Sequence, residues 1–264
     1  YGAKGKLGTT TWFNNKFLCL KEAGAQVGGA NGGLRTVILP ADSNGDKSGC
    51  KNFYAYFHIL FYAGLMGQTG EMCINFLTED NKLICGVNWY KTDMSGNTGR
   101  YELVCYNPNK KDTDHQAGKV LRAYGYTTSH LHTQNPWYWD WGHCDIRKEG
   151  SKLTFFYWGG YPSFTVPEIE DMKCTKIQIA IKQWGNRSGS RYLTYNGINN
   201  FWFQKLHVDK WRDVPNKFAR TSKVVADCKE ASVTMNGLPK PELGALGNDW
   251  ETFCLKPGVN QVQC

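Results

Sequence analysis

Five consecutive residues, Trp137-Tyr138-Trp139-Asp140-Trp141, form the densest group of chemistry-bearing side chains in this sequence. Indole faces stack on the C–H faces of sugar rings, and a neighbouring carboxylate can fix sugar hydroxyls, so the run is a candidate glycan platform. Strand alternation would put the three indoles on one face, with Tyr138 and Asp140 on the other. The competing assignment is packing, because large aromatic side chains dominate cores wherever they occur.

Other groupings offer less. His130-x-His132 followed by His143-Cys144 supplies zinc-type donors, and in a strand the first two imidazoles would share a side. The chain between them is long and polar, so no metal is assigned. Asp42-Ser43-Asn44-Gly45-Asp46 alternates oxygen ligands as calcium loops do. It lacks the later glycine and glutamate of that pattern, having Lys47 and Phe53 instead, and reads as a polar turn. Glu168-Ile169-Glu170-Asp171 begins like a paired-carboxylate motif, but Lys173 stands where a third acid is needed, so it too reads as a turn. Retaining glycoside hydrolysis requires two carboxyls about 5 Å apart across the bond. No Gly-x-Ser-x-Gly or phosphate-loop motif is present. The expectation is a protein without catalytic residues, metal or cofactor.

Positioning such groups falls to strands. The chain has 264 residues, with 29 Gly and 10 Trp, and its apolar residues alternate or run briefly between turn signals. The pattern predicts strands at 53–62, 71–77, 82–90, 101–106, 145–147, 152–158, 163–166, 176–183 and 201–208. Gly159-Gly160-Tyr161-Pro162 joins two of them as a hairpin. After a linker over 211–221, a second compact set follows at 223–228, 232–235, 251–255 and 260–263, with Asn236-Gly237 at a hairpin turn. The class is all-β.

Charge and cysteine usage bound the partners. The balance of 31 Lys plus Arg against 23 Asp plus Glu gives +8, spread without a basic run, so nucleic acid is not an expected partner. A diffuse positive surface favours anionic polymers such as those of cell walls. No apolar stretch reaches the roughly 18 residues of a membrane helix. Of ten cysteines, Cys73, Cys85, Cys105, Cys174 and Cys254 sit inside apolar runs, and no Cys-x-x-Cys pair occurs. Reduced, buried thiols are expected.

The stretch 152–208 resembles the concanavalin or laminin-G type of lectin-like sandwich. It has the strand Lys152-Leu153-Thr154-Phe155-Phe156, the hairpin ending in Phe164-Thr165-Val166-Pro167, and the strand Ile177 to Ile181 with Gln183-Trp184-Gly185-Asn186. The closing segment runs from Trp211-Arg212-Asp213-Val214-Pro215 through Asn236-Gly237-Leu238-Pro239 to Leu255-Lys256-Pro257-Gly258. It is similar to the C-terminal sandwich of distal tail proteins from long-tailed bacteriophages. That resemblance implies a concanavalin-like β-sandwich inserted in, or preceding, a smaller galectin-like one. Residues 1–35 and 209–264 would form the smaller sandwich, and 36–208 the lectin-like one. It further implies a virion component assembled in the host cytoplasm as a homo-oligomeric ring, usually a hexamer. Its partners would be other tail proteins and host cell-wall saccharide. No ring-forming N-terminal domain is recognisable, which makes a fragment of a longer polypeptide the expectation. The alternatives are a carbohydrate-binding module of a secreted protein and a glycoside hydrolase on the lectin-like fold.

Overall fold

The computed structural model describes residues 5–24, 30–40, 49–110, 118–138, 142–184, 187–207, 221–227 and 229–243. The chain divides into two units, Tyr1–Trp211 and Arg212–Cys264.

The first unit holds thirteen strands: β1 (Lys6–Trp12), β2 (Asn15–Glu22), β3 (Ala30–Ile38), β4 (Asn52–Tyr62), β5 (Gly70–Leu77), β6 (Leu83–Lys91), β7 (Thr98–Cys105), β8 (Lys119–Thr127), β9 (His143–Glu149), β10 (Lys152–Phe155), β11 (Ser163–Thr165), β12 (Lys176–Trp184) and β13 (Tyr195–Leu206). Seven of them form a sheet in the order β1-β2-β13-β4-β9-β10-β11, and six form another in the order β3-β12-β5-β6-β7-β8.

Alternation explains how the two sheets pack. In β4 the side chains of Phe53, Ala55, Phe57, Ile59 and Phe61 are buried, while Tyr54, Tyr56 and His58 between them stay partly exposed. The opposing sheet contributes Met72, Ile74 and Phe76 from β5, Val87 and Trp89 from β6, and Ile177, Ile179 and Ile181 from β12 to the same core. Phe53 and Phe76 meet between the sheets with ring centroids 4.8 Å apart. Burial of aromatic and branched side chains at this density is the main force holding the layers together.

Two described lysines, Lys91 and Lys148, are fully buried. Lys148 of β9 is fully buried, and its ammonium donates to the Lys51 carbonyl at 2.6 Å and more weakly to the Glu170 carbonyl at 3.4 Å. Burial pushes its pKa below the ordinary lysine value.

The leading strands lie elsewhere than the sequence placed them. Residues 1–35 were expected with the smaller sandwich, but β2 pairs with β13 through Cys19↔Gly197 and Leu18↔Ile198, and β3 is an edge of the six-stranded sheet. Phe17 and Cys19 are buried there, which anchors the hairpin to the larger unit. The strand β8 falls between the strands predicted at 101–106 and 145–147, where the pattern predicts none. It is an edge strand with mostly exposed side chains, so its apolar alternation is faint.

In the second unit, β14 (Val224–Asp227), β15 (Ser232–Met235) and β16 (Leu238–Pro239) form a three-stranded antiparallel sheet. Asn236 and Gly237 turn β15 into β16 with φ of 53° and 80°, the paired positive values that an Asn-Gly hairpin turn supplies. The strands expected at 251–255 and 260–263 lie outside the described residues.

Candidate functional site

The outward side of the seven-stranded sheet carries the chemistry. Cross-strand register aligns its side chains into rows. Trp202, Tyr56 and Asp145 are successive partners on β13, β4 and β9, and the Phe156 amide, just beyond β10, donates to the Asp145 carbonyl at 2.9 Å. On one side of that row lie Asn200, His58 and His143, and on the other Gln204, Tyr54, Arg147 and Thr154. Residues opposite one another on antiparallel strands are close enough for their side chains to touch.

The rings on this face meet in two groups. Tyr54 meets Trp202 edge-on at 5.9 Å, Tyr56 stacks on His143 at 5.8 Å, and His143 stacks on Phe156 at 3.9 Å. Tyr161 closes the run edge-on against Phe156 at 5.4 Å. Trp202 is 54 % exposed and Tyr161 58 %, so both present rings to solvent.

The Trp158-Gly159 turn positions Tyr161. Both residues have positive φ, 44° and 82°, and Tyr157 and Gly160 exchange backbone hydrogen bonds at 2.9 Å. A tryptophan in the left-handed region is uncommon, and its conformation is held by this two-residue hairpin.

At the centre lies a carboxylate. Asp145 is only 4 % exposed, and its Oδ2 accepts from Tyr161 Oη at 3.4 Å. Burial raises its pKa above the usual aspartate value, with the Tyr161 bond opposing. The phenols around it respond in kind. Tyr54 is pushed up to about 12 by burial and then by the Asp145 charge, and Tyr56 and Tyr161 are raised by the same two causes. Tyr56 Oη and His58 Nε2 are hydrogen-bonded at 2.8 Å. Burial, reinforced by His58, lowers His143 below the ordinary histidine value, so its imidazole is neutral at pH 7. Arg147 is held by Glu149, Nε to Oε2 at 2.8 Å and Nη2 to Oε1 at 3.0 Å, and His207 Nε2 lies 2.8 Å from the same Oε1. The arrangement provides flat ring faces beside neutral donors and acceptors, grouped around one carboxylate.

The aromatic run singled out in the sequence is distributed differently. Trp137 is a core residue, 1 % exposed, packed on Tyr101 at 4.6 Å and Tyr126 at 4.8 Å. Its backbone is stapled by Asn135, which accepts from the Trp137 amide at 3.0 Å and donates to the Phe61 carbonyl at 3.1 Å. A turn replaces the expected strand at 137–138, so alternation does not govern these rings. Tyr138 is half-buried against a satellite cluster of Phe17, Leu60 and Tyr62. Trp139, Asp140 and Trp141 lie outside the described residues. The Gly142 carbonyl accepts from the Ile59 amide at 2.9 Å. A Cβ on Gly142 would lie 1.9 Å from the Ile59 carbonyl oxygen, so only glycine permits this approach, which leads directly into His143.

The remaining motifs do not converge. His130 and His132 sit in a bend and a turn, not a strand, while His143 belongs to the ring stack. Among the described residues no three His, Cys, Asp or Glu side chains cluster as a metal site would require. The 42–46 loop lies outside the described residues. Glu168 and Ile169 fall in a short 3-10 turn, Pro167–Ile169, and Asp171 pairs with Lys51 at 2.6 Å. The seven described cysteines are all buried. No described helix is long and apolar enough to cross a membrane.

Two antiparallel sheets packed face to face define an all-β protein of the β-sandwich class. The fold is similar to a solved structure described as the CBM2 module of Lactobacillus casei BL23 phage J-1 evolved Dit. The TM-score is 0.56 at 13% identity, covering 79% of this chain and 83% of that one. Weaker likenesses include an alginate lyase from Pseudomonas aeruginosa, with TM-score 0.46, 9% identity and coverage of 78% of this chain and 87% of that one. Another is a legume lectin-like domain from Entamoeba histolytica, with TM-score 0.38, 14% identity and coverage of 77% and 88%. No family model matches the chain. No curated protein matches it in sequence.

Proposed function

We propose that this chain is a saccharide-binding component of a phage tail tip, of the distal tail protein kind, which holds host cell-surface glycan on the outer face of its seven-stranded sheet. One observation carries the reading: the cross-strand row Trp202–Tyr56–Asp145–Phe156, which puts an exposed indole and stacked rings beside a sheltered carboxylate. Stacking faces with a few directed polar groups are what a sugar ring requires. The phage setting is supported by the fold likeness to a module of an evolved Dit, together with the resemblance of the closing segment. The buried thiols of Cys73, Cys85, Cys105 and Cys144 favour cytoplasmic assembly over a secreted, disulfide-bearing module.

In that setting the chain works as a scaffold and binder, not a catalyst. Of the two carboxylates on the described part of this face, Glu149 is engaged by Arg147, which leaves Asp145 without the second carboxyl that glycosidic cleavage needs. It would assemble as a homo-oligomeric ring, a hexamer, against other tail proteins. Electron microscopy of particles labelled through this chain tests the setting. Label in a ring at the end of the tail tube supports it, and label absent from the particle contradicts it.

A further inference from the structure

The sequence-wide charge of +8 points to anionic polymers as ligands, yet the local charge on the ring-lined face points the other way. Resting on the saccharide-binding reading above, we propose that this face takes a neutral saccharide chain and rejects uronate- or phosphate-bearing ones.

The three rows decide it. Their described members are Asn200, His58 and His143, then Trp202, Tyr56, Asp145 and Phe156, then Gln204, Tyr54, Arg147 and Thr154. Arg147 is the one permanent cation among them, and its Nε and Nη2 already donate to Glu149 at 2.8 Å and 3.0 Å. Glu149 cancels the guanidinium charge, so the pair draws a second anion only through its remaining N–H donors, without a net positive charge behind them. Among the described residues Asp145 has no such partner. Its described side-chain contact is a phenol at 3.4 Å, and Tyr54, Tyr56 and Phe156 surround it. His143, the imidazole stacked within the ring run, is kept neutral at pH 7 by burial and by His58.

A sheltered negative charge in a ring-lined patch repels a second one more strongly than it would in open water, because the surrounding dielectric is lower. The groups that remain, Asn200, Gln204, Thr154 with its 2.9 Å partner Ser163, and the tyrosine hydroxyls, suit uncharged hydroxyls. The scattered lysines that set the net charge act at longer range and are screened within about 8–10 Å at ordinary salt.

Binding can be measured by calorimetry against two sets of probes: glucan, galactan and rhamnan oligosaccharides, and polygalacturonate with a glycerol-phosphate polymer. The expected result is binding of a neutral probe that is unchanged between low and high salt and falls about tenfold or more in Trp202→Ala, the loss of one stacking face. Anionic probes should bind weakly, with an affinity that salt abolishes and Trp202→Ala leaves alone. Freeing Arg147 by Glu149→Gln, a change at a partly exposed position, should raise affinity for the anionic set. Trp202-dependent binding of an anionic probe more tightly than of every neutral one would overturn the charge selection and leave the saccharide reading standing. Binding of every probe without dependence on Trp202 would overturn both.

Discussion

Tyr56 of β4 and Asp145 of β9 are direct cross-strand partners on the outer face of the seven-stranded sheet, and the phenol helps shelter a carboxylate that is only 4 % exposed. Sheltering an aspartate beside aromatic rings costs stability and gives nothing to the core, which lies on the other side of the sheet. Such a cost is the mark of a working surface.

Two tryptophans separate the surface from the core. Trp137→Ala should destabilise the protein by about 3–5 kcal/mol, through lost burial and the cavity left between Trp89, Tyr101 and Tyr126. Trp202→Ala, at a residue 54 % exposed, should stay within about 0.5 kcal/mol of the parent while losing glycan binding. Thermal melts alongside calorimetric titrations check the pair.

Asp145→Asn should stabilise the free protein at neutral pH. The folded pKa of Asp145 lies above its unfolded value, so between the two the native state binds the extra proton. Its favourable contribution is complete below the ordinary aspartate pKa and is lost as pH rises through the folded one. The Tm of Asp145→Asn should therefore exceed that of the parent at pH 7, and the gap should close as pH falls towards 4, as read by melts across that range.

The ion pair of Lys182 and Glu71, at 2.5 Å with both side chains less than a tenth exposed, should resist one-sided removal. Lys182→Met leaves the Glu71 carboxylate sheltered without its partner and should cost about 3–5 kcal/mol. Replacing both with apolar residues should cost much less, a difference that a denaturant double-mutant cycle resolves.

The described thiols should be silent in the folded protein. Burial pushes Cys73 and Cys105 up to about 11 and Cys144 to about 12, and raises Cys85 and Cys174 above the ordinary thiol value as well. Alkylation at pH 8 followed by peptide mapping should leave all five unmodified until denaturant is added.

Much of this architecture is legible in the sequence, and the site is only half so. The alternation of Phe53 to Tyr62 gives a strand, its buried face and the outward series Tyr54, Tyr56 and His58. Asn200, Trp202 and Gln204 form the same kind of series on β13. What no local pattern reveals is that these two series and Asp145 lie in register, because that pairing joins segments some ninety to a hundred and fifty positions apart and is fixed by the packing of both sheets. The run 137–141 drew attention by density alone, and Trp137 illustrates why density misleads: a turn stapled by Asn135 directs it inward. The hairpin β1–β2 was misplaced for a related reason, since its partner β13 is remote in sequence.

The most direct test is a heteronuclear correlation spectrum recorded while the neutral oligosaccharide identified by calorimetry is titrated in. The indole signal of Trp202 and the backbone amides of Tyr56, His143 and Asp145 should shift together and saturate at one dissociation constant, while the indoles of Trp89 and Trp137 stay in place. Shifts confined to the six-stranded sheet or to the second unit, with Trp202 unmoved, would contradict the assignment of this face.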